Sequence, residues 1–376
     1  MRRGSYALIG LVAVAGMAAA AWILVGPHLR RETVTIVSLL PRTGSAKPQT
    51  DAIVLGIRLA LDEHDHRAGR FRVKHEDWDY SVAAGGLNST GATLDRLTRQ
   101  AKGRPDILAV LGAYESASTY RILQAHLVDE VPFVTISPGS TRGDLTDYPQ
   151  RDGGLGGEFH PGRYFFRTLP AQPMQGTLAA RWAKRQGMKR VHHYRSDRDH
   201  DLELLSAFRK EAELEGLTVT ESAEGYPSEM ARNQARERPD LVFLSGNDPQ
   251  VAADVVGYLR LAGYRGKILL GSGSLEPLFL KELGNGAEVY LTSLDAPPPP
   301  DFVRRAGISN PHAYYGYLAA KAALQAISQA DSKDRLQVIR ACGRLPIFDS
   351  EGELAQPEVG LHRVVNGRFE LVEVLK

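Results

Sequence analysis

Residues 107–146 read ILAVLGAYESASTYRILQAHLVDEVPFVTISPGSTRGDLT, and this stretch decides the fold. It begins with a short apolar run that contains β-branched residues and ends at Gly112, and residues 132–136 repeat the pattern. Such runs between turn signals are typical of strands buried on both faces of a parallel sheet. Between them Ser116 stands at a helix N-cap position, and Tyr120, Leu123 and Leu127 recur at helical spacing. The stretch therefore predicts a strand–helix–strand unit.

Polar turns follow both strands of this unit. Ser116 comes after the first strand, and the loop Ser137-Pro138-Gly139-Ser140-Thr141 follows the second. The carboxyl ends of parallel strands meet at one edge of the sheet, where open α/β sheets bind their ligands. Hydroxyls and free backbone N–H groups at that edge can hold a carboxylate. Taken alone, Ser116 is explained by capping and Thr141 by turn formation. Their pairing after adjacent strands favours a binding site.

The rest of the chain from residue 33 alternates strands and helices, which indicates parallel sheets covered by helices on both faces. The number of units favours two doubly wound α/β lobes. Residues 296–300 read APPPP, which predicts a stiff crossover, and Asn366-Gly367 between two apolar segments predicts a C-terminal β-hairpin. The predicted strands are residues 33–40, 71–77, 107–111, 132–136, 164–168, 190–194, 218–223, 241–244, 267–270, 288–292, 361–365 and 369–374.

The N-terminal segment has the character of an export signal or an anchor. Residues 6–26 contain no charged side chain and follow Arg2-Arg3, and at about 1.5 Å per residue they are long enough to cross a hydrocarbon core. Small residues at 18–21 are compatible with cleavage, but the apolar run continues beyond them, which favours an uncleaved anchor over a cleaved signal peptide. Both interpretations place the remainder outside the cytoplasmic membrane.

Charge and cysteine content exclude several classes of function. Residues 33–376 carry 42 Lys and Arg against 43 Asp and Glu, a net charge of −1, so no basic field indicates nucleic-acid binding. Cys342 is the only cysteine, which rules out an internal disulfide and a cysteine-based metal cluster. His192, His193 and His200 lie near aspartates, but an exposed polar loop explains them better than a metal site. No phosphate-binding or nucleophile motif is present, so neither a cofactor nor an enzyme activity is predicted.

The chain from residue 33 onward resembles the type I periplasmic solute-binding proteins, specifically the leucine/isoleucine/valine-binding group. The resemblance depends on the order and spacing of motifs along nearly the whole exported part. These are IVSLLPRTGS, DILAVLGAYESAST, VPFVTISPGSTRGDLT, YFFRTLP and DLVFLSGNDPQVAADVVGYLRLAGYRGKILLGSG. The family fold has two α/β lobes joined by three crossings, and it closes on a small ligand by hinge motion. The resemblance implies an N-terminal lobe of residues 33–167 and 273–347 and a C-terminal lobe of residues 168–272 and 348–376, after a signal segment at 1–32.

The resemblance also implies site residues. Ser116 matches the serine that binds the ligand carboxylate, Gly139 and the adjacent Ser140 belong to the loop that contributes there, and Thr141 matches a residue that contacts both ends of an amino acid. In the second lobe, His200 lies near the position of a family aromatic, and Gln250 replaces the acid that pairs with the ligand ammonium. The family disulfide near Asp79 and Glu115 is absent. Further residues expected along the cleft are Thr43, Trp78, Tyr114, Asp248 and Tyr315.

Two functions follow from this resemblance. The first is an extracytoplasmic, membrane-tethered binding protein that captures a small carboxylate-bearing, amino-acid-like ligand for an ABC importer and is recognised by its permease. The second is a membrane-anchored sensor or interaction domain of the same fold, with an altered or lost ligand site. Gln250 favours the second function, because a neutral amide cannot supply the charge that a desolvated ligand ammonium requires.

Overall fold

A computed structural model describes residues 32–81, 89–128, 132–146, 164–194, 199–221, 232–233, 236–246, 248–283 and 288–376. The apolar segment at 6–26 and the glycine-rich stretch at 152–162 lie outside these residues. The described chain forms two lobes, each built on one largely parallel β-sheet with helices on both faces. The doubly wound α/β architecture predicted from the alternating pattern is therefore confirmed.

The strands, in chain order, are β1 Thr33–Leu40, β2 Arg67–Ala68, β3 Phe71–Asp79, β4 Ile107–Gly112, β5 Val134–Ser137, β6 Phe165–Arg167, β7 Arg190–Tyr194, β8 Thr218–Glu221, β9 Leu241–Leu244, β10 Lys267–Leu270, β11 Val289–Ser293, β12 Val359–Val365 and β13 Arg368–Leu375. The helices are α1 Lys47–Glu63, α2 Ser89–Lys102, α3 Ser116–Val128, α4 Gln172–Arg185, α5 Asp199–Leu214, α6 Pro249–Leu261, α7 Pro277–Leu283, α8 Pro300–Ala306, α9 Pro311–Ala330 and α10 Arg335–Cys342. Short 3-10 turns follow β5 at Gly143–Leu145 and β10 at Ser272–Ser274.

The first sheet has the order β2-β3-β1-β4-β5-β6, and all pairs except β2–β3 are parallel. One face packs against α1, α9 and α10, and the other packs against α2 and α3. The central strand β4 is buried along its entire length, because helices cover both faces. The adjacent strands β4 and β5 end at the same edge, which brings the two polar turns together.

The second sheet has the order β13-β12-β11-β10-β9-β7-β8. Its parallel strands are covered by α4 and α5 on one face and by α6 and α7 on the other, while β12 and β13 add antiparallel pairs at one edge. Asn366 and Gly367 both have positive φ angles, 51° and 70°, so the predicted hairpin is confirmed together with its turn residues.

The chain passes between the two lobes three times, at residues 168–171, 294–299 and 343–358. One boundary differs from the sequence-based expectation. β11 pairs with β10, so residues 273–293 belong to the second lobe rather than to the first. The proline run, not the polar turn at 272–274, forms the second crossing.

Helix α9 makes an unusually close approach to α1. A Cβ atom added to Gly56 would lie 1.8 Å from the Ala313 carbonyl oxygen, and one added to Gly316 would lie 2.2 Å from the Ile53 carbonyl oxygen. Only glycine leaves room for backbone at these distances. Helix α9 therefore closes the core of the first lobe, although it follows the second lobe in sequence.

Two helical faces differ from those predicted. Tyr120 on α3 is 36% exposed, whereas Leu123 is buried as predicted, and Thr119 and Ile122 are buried beside it. Val251 and Tyr258 on α6 are also exposed, whereas Val255 is buried as expected. Cys342 is a buried free thiol. Among the described residues, no helix combines the length and apolar character that a membrane crossing requires.

Candidate functional site

Ser116 and the loop after β5 are in direct contact. The Ser116 Oγ accepts hydrogen bonds from the backbone N–H groups of Thr141, at 3.1 Å, and Arg142, at 3.2 Å. A hydroxyl has two acceptor lone pairs and one proton, so these two bonds leave the Ser116 proton to be donated elsewhere. The hydroxyl of Thr141 is half-buried and has no hydrogen-bond partner among the described residues. Two hydroxyl donors thus lie together at the carboxyl edge of the sheet.

A buried hydroxyl network supports this loop from below. Ser137 Oγ accepts the backbone N–H of Ser140 at 2.9 Å and donates to the carbonyl of Ala113 at 2.7 Å. Ser140 Oγ lies 2.5 Å from Thr119 Oγ1, and neither side chain is exposed. The Ser140 hydroxyl is therefore engaged inside the protein, and its contribution is to fix the loop that carries Gly139 and Thr141.

Arg167, the last residue of β6, contacts the same loop. Its fully buried guanidinium donates to the carbonyl of Arg142 at 2.6 Å and to that of Ser140 at 3.3 Å. Glu353 of the third crossing lies 2.8 Å from the Arg167 guanidinium and also accepts the Thr146 hydroxyl at 3.1 Å. Burial lowers the pKa of Arg167 and raises the pKa of Glu353. The attraction between the two charges opposes both shifts, because each charge stabilises the ionised form of its partner. The ion pair therefore connects β6 and the third crossing to the loop that carries Thr141.

Tyr114 lies beside Gly139 on the same edge. A Cβ atom on Gly139 would lie 2.4 Å from the Tyr114 ring and 2.7 Å from the Tyr114 carbonyl oxygen, so a larger residue does not fit there. The Tyr114 ring also lies near the His312 ring, with 6.1 Å between ring centroids and a tilt of 40°. Burial, together with the charges of Asp295 and Glu115, raises the pKa of Tyr114 to about 12. Tyr114 is therefore a neutral, half-buried side chain at neutral pH.

Tyr80 links the segments where the family has a disulfide. Its hydroxyl donates to Glu115 and accepts the backbone N–H of Tyr114 at 3.1 Å. A hydrogen bond thus joins the end of β3 to the turn before α3, in place of the covalent bond that a single cysteine cannot form.

The second-lobe residues make local contacts. Asp248 caps α6, because its carboxylate accepts the backbone N–H groups of Gln250 and Val251 at 3.0 and 3.2 Å. Gln250 is exposed, and its amide donates to Asp254 at 3.2 Å. The Asp248 carboxylate is therefore used to cap the helix, and Gln250 carries no charge. In the described contacts, neither residue offers a carboxylate to a ligand ammonium. His200 lies in the first turn of α5, but its side chain is outside the described residues.

The remaining expected cleft residues differ in their surroundings. Thr43 is exposed, and its backbone N–H donates to Ser81 Oγ at 2.9 Å. Trp78 packs against the core under α2 and donates to Glu76, which makes it part of the first lobe's packing. Tyr315 is buried, and its hydroxyl donates to the Leu294 carbonyl at 2.7 Å, so it fixes the start of the second crossing.

The histidine-rich segment is not an exposed loop. His192 and His193 lie on β7 and are both buried, and His193 Nε2 lies 2.9 Å from Ser245 Oγ. The expectation of an exposed loop is wrong for these two residues because β7 continues through them between β8 and β9. In the part of the chain that the structure describes, no group of three or more His, Cys, Asp or Glu is arranged to hold a metal ion.

Four side chains of this region are absent from the sequence-based candidates: Arg167, Asp295, His312 and Glu353. Arg167 had a detectable signal, because an arginine at the end of the apolar run YFF needs a buried partner if that run is a strand. Its partner is 186 residues away in sequence, and nothing in the local pattern indicates the pairing.

Comparison with known proteins places this fold in a family. The profile of the periplasmic binding proteins matches residues 33–364. The chain belongs to the periplasmic binding protein family. The match covers both lobes and all three crossings of this periplasmic binding protein. A search of curated proteins finds no relative.

Solved structures show the same fold. A leucine-binding protein LivK from Thermotoga maritima is 21% identical, with a TM-score of 0.61, 91% of this chain covered and 98% of the other. A substrate-binding protein from Desulfitobacterium hafniense in complex with Leu is 18% identical, with a TM-score of 0.66 and coverages of 91% and 100%. A solute-binding protein from R. palustris in complex with 4-hydroxybenzoate is 17% identical, with a TM-score of 0.62 and coverages of 92% and 97%. The resemblance to this group is confirmed, and at these identities the likeness shows the fold.

Proposed function

We propose that this periplasmic binding protein captures a small carboxylate-bearing ligand between its lobes, outside the cytoplasmic membrane, for an ABC importer. The observation that carries the proposal is the Ser116 hydroxyl, which accepts two loop N–H groups and so has its proton left to donate. The free Thr141 hydroxyl and the N-terminus of α3 add donors and positive potential at the same edge. A carboxylate accepts hydrogen bonds in the geometry that this set of donors offers.

Ligand capture is expected to operate through a hinge. In the part of the chain that the structure describes, the lobes are connected covalently by the three crossings at 168–171, 294–299 and 343–358. A ligand that contacts both lobes binds the closed arrangement better than the open one, and it therefore shifts the population toward closure. The permease would then distinguish the closed protein from the open one.

A thermal-unfolding screen of the full-length protein in mild detergent tests this proposal. Leucine, isoleucine, 4-hydroxybenzoate and their amide derivatives form the panel. A carboxylate present at one hundred times its dissociation constant stabilises the native state by about 2.7 kcal/mol, whereas its amide gives a smaller shift. The double variant Ser116→Ala/Thr141→Val is expected to abolish the carboxylate-dependent shift. The control Ser206→Ala changes an exposed serine on α5 and should retain it.

The second candidate is a sensor or interaction domain with an altered ligand site. The contact that favours it is the amide of Gln250, which bonds to Asp254 where the family resemblance implies a ligand-facing acid. This alternative predicts no thermal shift with any member of the panel. A carboxylate shift that persists in the Ser116/Thr141 double variant would instead show that the site lies elsewhere.

We also propose export with retention of the N-terminal segment as a membrane tether. The support is sequence-based: residues 6–26 are uncharged and apolar, and they lie outside the described residues. N-terminal sequencing of the protein recovered from its native membrane fraction tests this. A mature chain that begins near residue 22 would overturn the tether and leave the binding function untouched.

A further inference from the structure

We propose that the hydrogen bond between Glu203 and Gly143 is a latch that holds the two lobes together. The carboxylate of Glu203, on α5 of the second lobe, accepts the backbone N–H of Gly143 at 2.9 Å. Gly143 begins the 3-10 turn that follows β5 in the first lobe. The contact therefore joins the lobes without using any of the three crossings. The effect of the latch on ligand affinity rests on the proposed function, whereas its effect on the arrangement of the lobes does not.

The loop that carries Thr141 uses consecutive N–H groups to contact both lobes. The N–H groups of Thr141 and Arg142 donate to Ser116 Oγ within the first lobe, at 3.1 and 3.2 Å. The next N–H group, that of Gly143, donates to Glu203 of the second lobe. Arg142 is the N-cap residue of the 3-10 turn, and its side chain makes no capping hydrogen bond. Because the first N–H groups of a helical turn have no partner within it, Glu203 supplies a cap from the other lobe.

Gly143 also fits closely against the second lobe. A Cβ atom added to Gly143 would lie 2.7 Å from Pro173 Cγ and 3.5 Å from the Glu203 carboxylate. Pro173 is in the first turn of α4, and the backbone N–H of the preceding Gln172 donates to the Thr141 carbonyl at 2.7 Å. A side chain at position 143 would therefore push the loop away from α4 and α5. Glycine at this position is what lets Glu203 come within hydrogen-bond distance.

The charge of Glu203 acts in the same direction as the hydrogen bond. Burial lowers the pKa of Arg167 on β6, and the negative charges of Glu353 and Glu203 oppose that shift. The attraction between Arg167 and Glu203 thus acts from one lobe to the other. Among the described residues, no lysine or arginine lies within ion-pair distance of Glu203, and its hydrogen-bond donor is Gly143. The carboxylate is therefore not engaged by a partner within its own lobe.

The latch is expected to change an equilibrium between lobe arrangements. The apparent affinity for a ligand falls in proportion to the fraction of molecules in the binding-competent arrangement. A hydrogen bond to a carboxylate is stronger than one between neutral groups, although the half-buried position of Glu203 lets solvent weaken it. We expect loss of the latch to reduce the apparent affinity about three- to tenfold, mostly through faster ligand dissociation.

Electron–electron double resonance on the full-length protein in mild detergent measures the arrangement of the lobes. Nitroxide labels are attached at Gln100→Cys on α2 and Arg265→Cys after α6, two exposed positions on different lobes, while Cys342 is buried. Without ligand, Glu203→Ala should broaden and displace the distribution of label distances relative to the wild type. Gly143→Ala should act in the same direction. Glu203→Gln should have a smaller effect, because the amide oxygen still accepts the N–H group.

Titration with leucine and with 4-hydroxybenzoate measures the consequence for binding. A compound that binds the wild type should bind Glu203→Ala about three- to tenfold more weakly. In a Gly143→Ala background, Glu203→Ala should add little, because the contact is already broken. The control Glu213→Ala removes an exposed carboxylate from the same helix, and it should leave both the distances and the affinity unchanged.

Several outcomes would overturn the latch. One is a Glu203→Ala protein whose label distances match those of the wild type, even if its thermal stability is lower, because Glu203 would then stabilise α5 alone. Full additivity of the Glu203 and Gly143 substitutions would show that they act through separate contacts. If neither compound binds the wild type, the proposed function is contradicted, whereas the label distances still decide whether the latch exists.

Discussion

Gly139 occupies a position where the smallest side chain is already too large. A methyl group there would meet both the ring and the backbone carbonyl of Tyr114, and a backbone atom cannot move aside as a flexible side chain can. We expect Gly139→Ala to destabilise the native state by about 1–3 kcal/mol and to weaken ligand binding, because the loop that carries Thr141 must shift. Urea unfolding and ligand titration measure the two effects.

Gly257 provides the matched control. It lies on α6 with open space around the added Cβ atom, so Gly257→Ala should be neutral or stabilise the protein by about 0.5–1 kcal/mol. If both alanine variants behave alike, the close approach at Gly139 has no functional consequence.

Arg167 and Glu353 form a buried pair whose halves depend on each other. Arg167→Met leaves the largely buried Glu353 carboxylate, whose side chain is 19% exposed, without its cationic partner, and we expect a loss of about 3 kcal/mol. The double variant Arg167→Met/Glu353→Gln should recover a substantial part of this, since no buried charge remains. Urea unfolding measures both variants.

Arg181→Met controls for the loss of an arginine. Arg181 is half exposed and forms a single ion pair with Glu211, so its removal should cost less than about 1 kcal/mol. A similar cost for Arg167→Met and Arg181→Met would contradict the proposed support of the loop.

At the scale of residues, the sequence predicted the contacts at the carboxyl edge of the first sheet better than those at the edge of the second sheet. The contact between Ser116 and Thr141 follows from two adjacent strands, because their turns must share an edge of the sheet. Asp295, His312 and Tyr114 come from two lobes and three distant segments, and no local pattern brings them together. The roles of Ser116, Thr141 and Tyr114 in binding stay predictions.

Among the elements, a charged cluster connects the interior of β3 to the turn before β4. Arg104 contacts Glu76 at 2.8 Å and Asp106 at 2.6 Å. Hydrogen bonds from Arg104 lower the pKa of Glu76 from 4.5 to about 2 and that of Asp106 from 3.8 to about 2. Both pKa values fall on folding, so the stabilisation is present above the unfolded values and is lost as the pH falls toward 2.

Arg104→Gln should therefore flatten the dependence of unfolding free energy on pH between about 5 and 2, and added salt should have a similar but smaller effect. Urea unfolding across that range measures the slope. Arg304→Gln, which removes an exposed pair with Asp301 on α8, should leave the slope unchanged. If Arg104→Gln keeps the wild-type slope, the cluster does not stabilise the sheet.

Strands with clear turn residues at both ends were easier to predict than helices whose buried face depends on a partner from another element. The strands β1, β9 and β10 have the predicted bounds because their apolar runs are bracketed by clear turn residues, and β7, which carries two histidines, also has the predicted bounds. The inner face of α3 was mistaken because Tyr120 is aromatic yet lies toward solvent, while the polar Thr119 is buried by its hydrogen bond to Ser140. Periodicity counts apolar residues, and it cannot register a polar side chain whose partner is supplied by another element.

For the molecule as a whole, Cys342 reports on the integrity of the first lobe. It is fully buried in α10, and burial raises the pKa of its thiol well above the ordinary value. Because the thiolate is the reactive form, a thiol reagent should not modify the native protein and should react completely in denaturant. Mass spectrometry after timed labelling measures this. Rapid labelling of the native protein would contradict the packing of α10.

The position of α9 has a consequence for synthesis. Its glycine-mediated contact with α1 completes the core of the first lobe, yet more than two hundred residues separate the two helices along the chain. A ribosome must therefore synthesise strands β7 to β11 of the second lobe before the core of the first lobe can assemble. The core of the first lobe therefore stays incomplete until most of the chain has been translated.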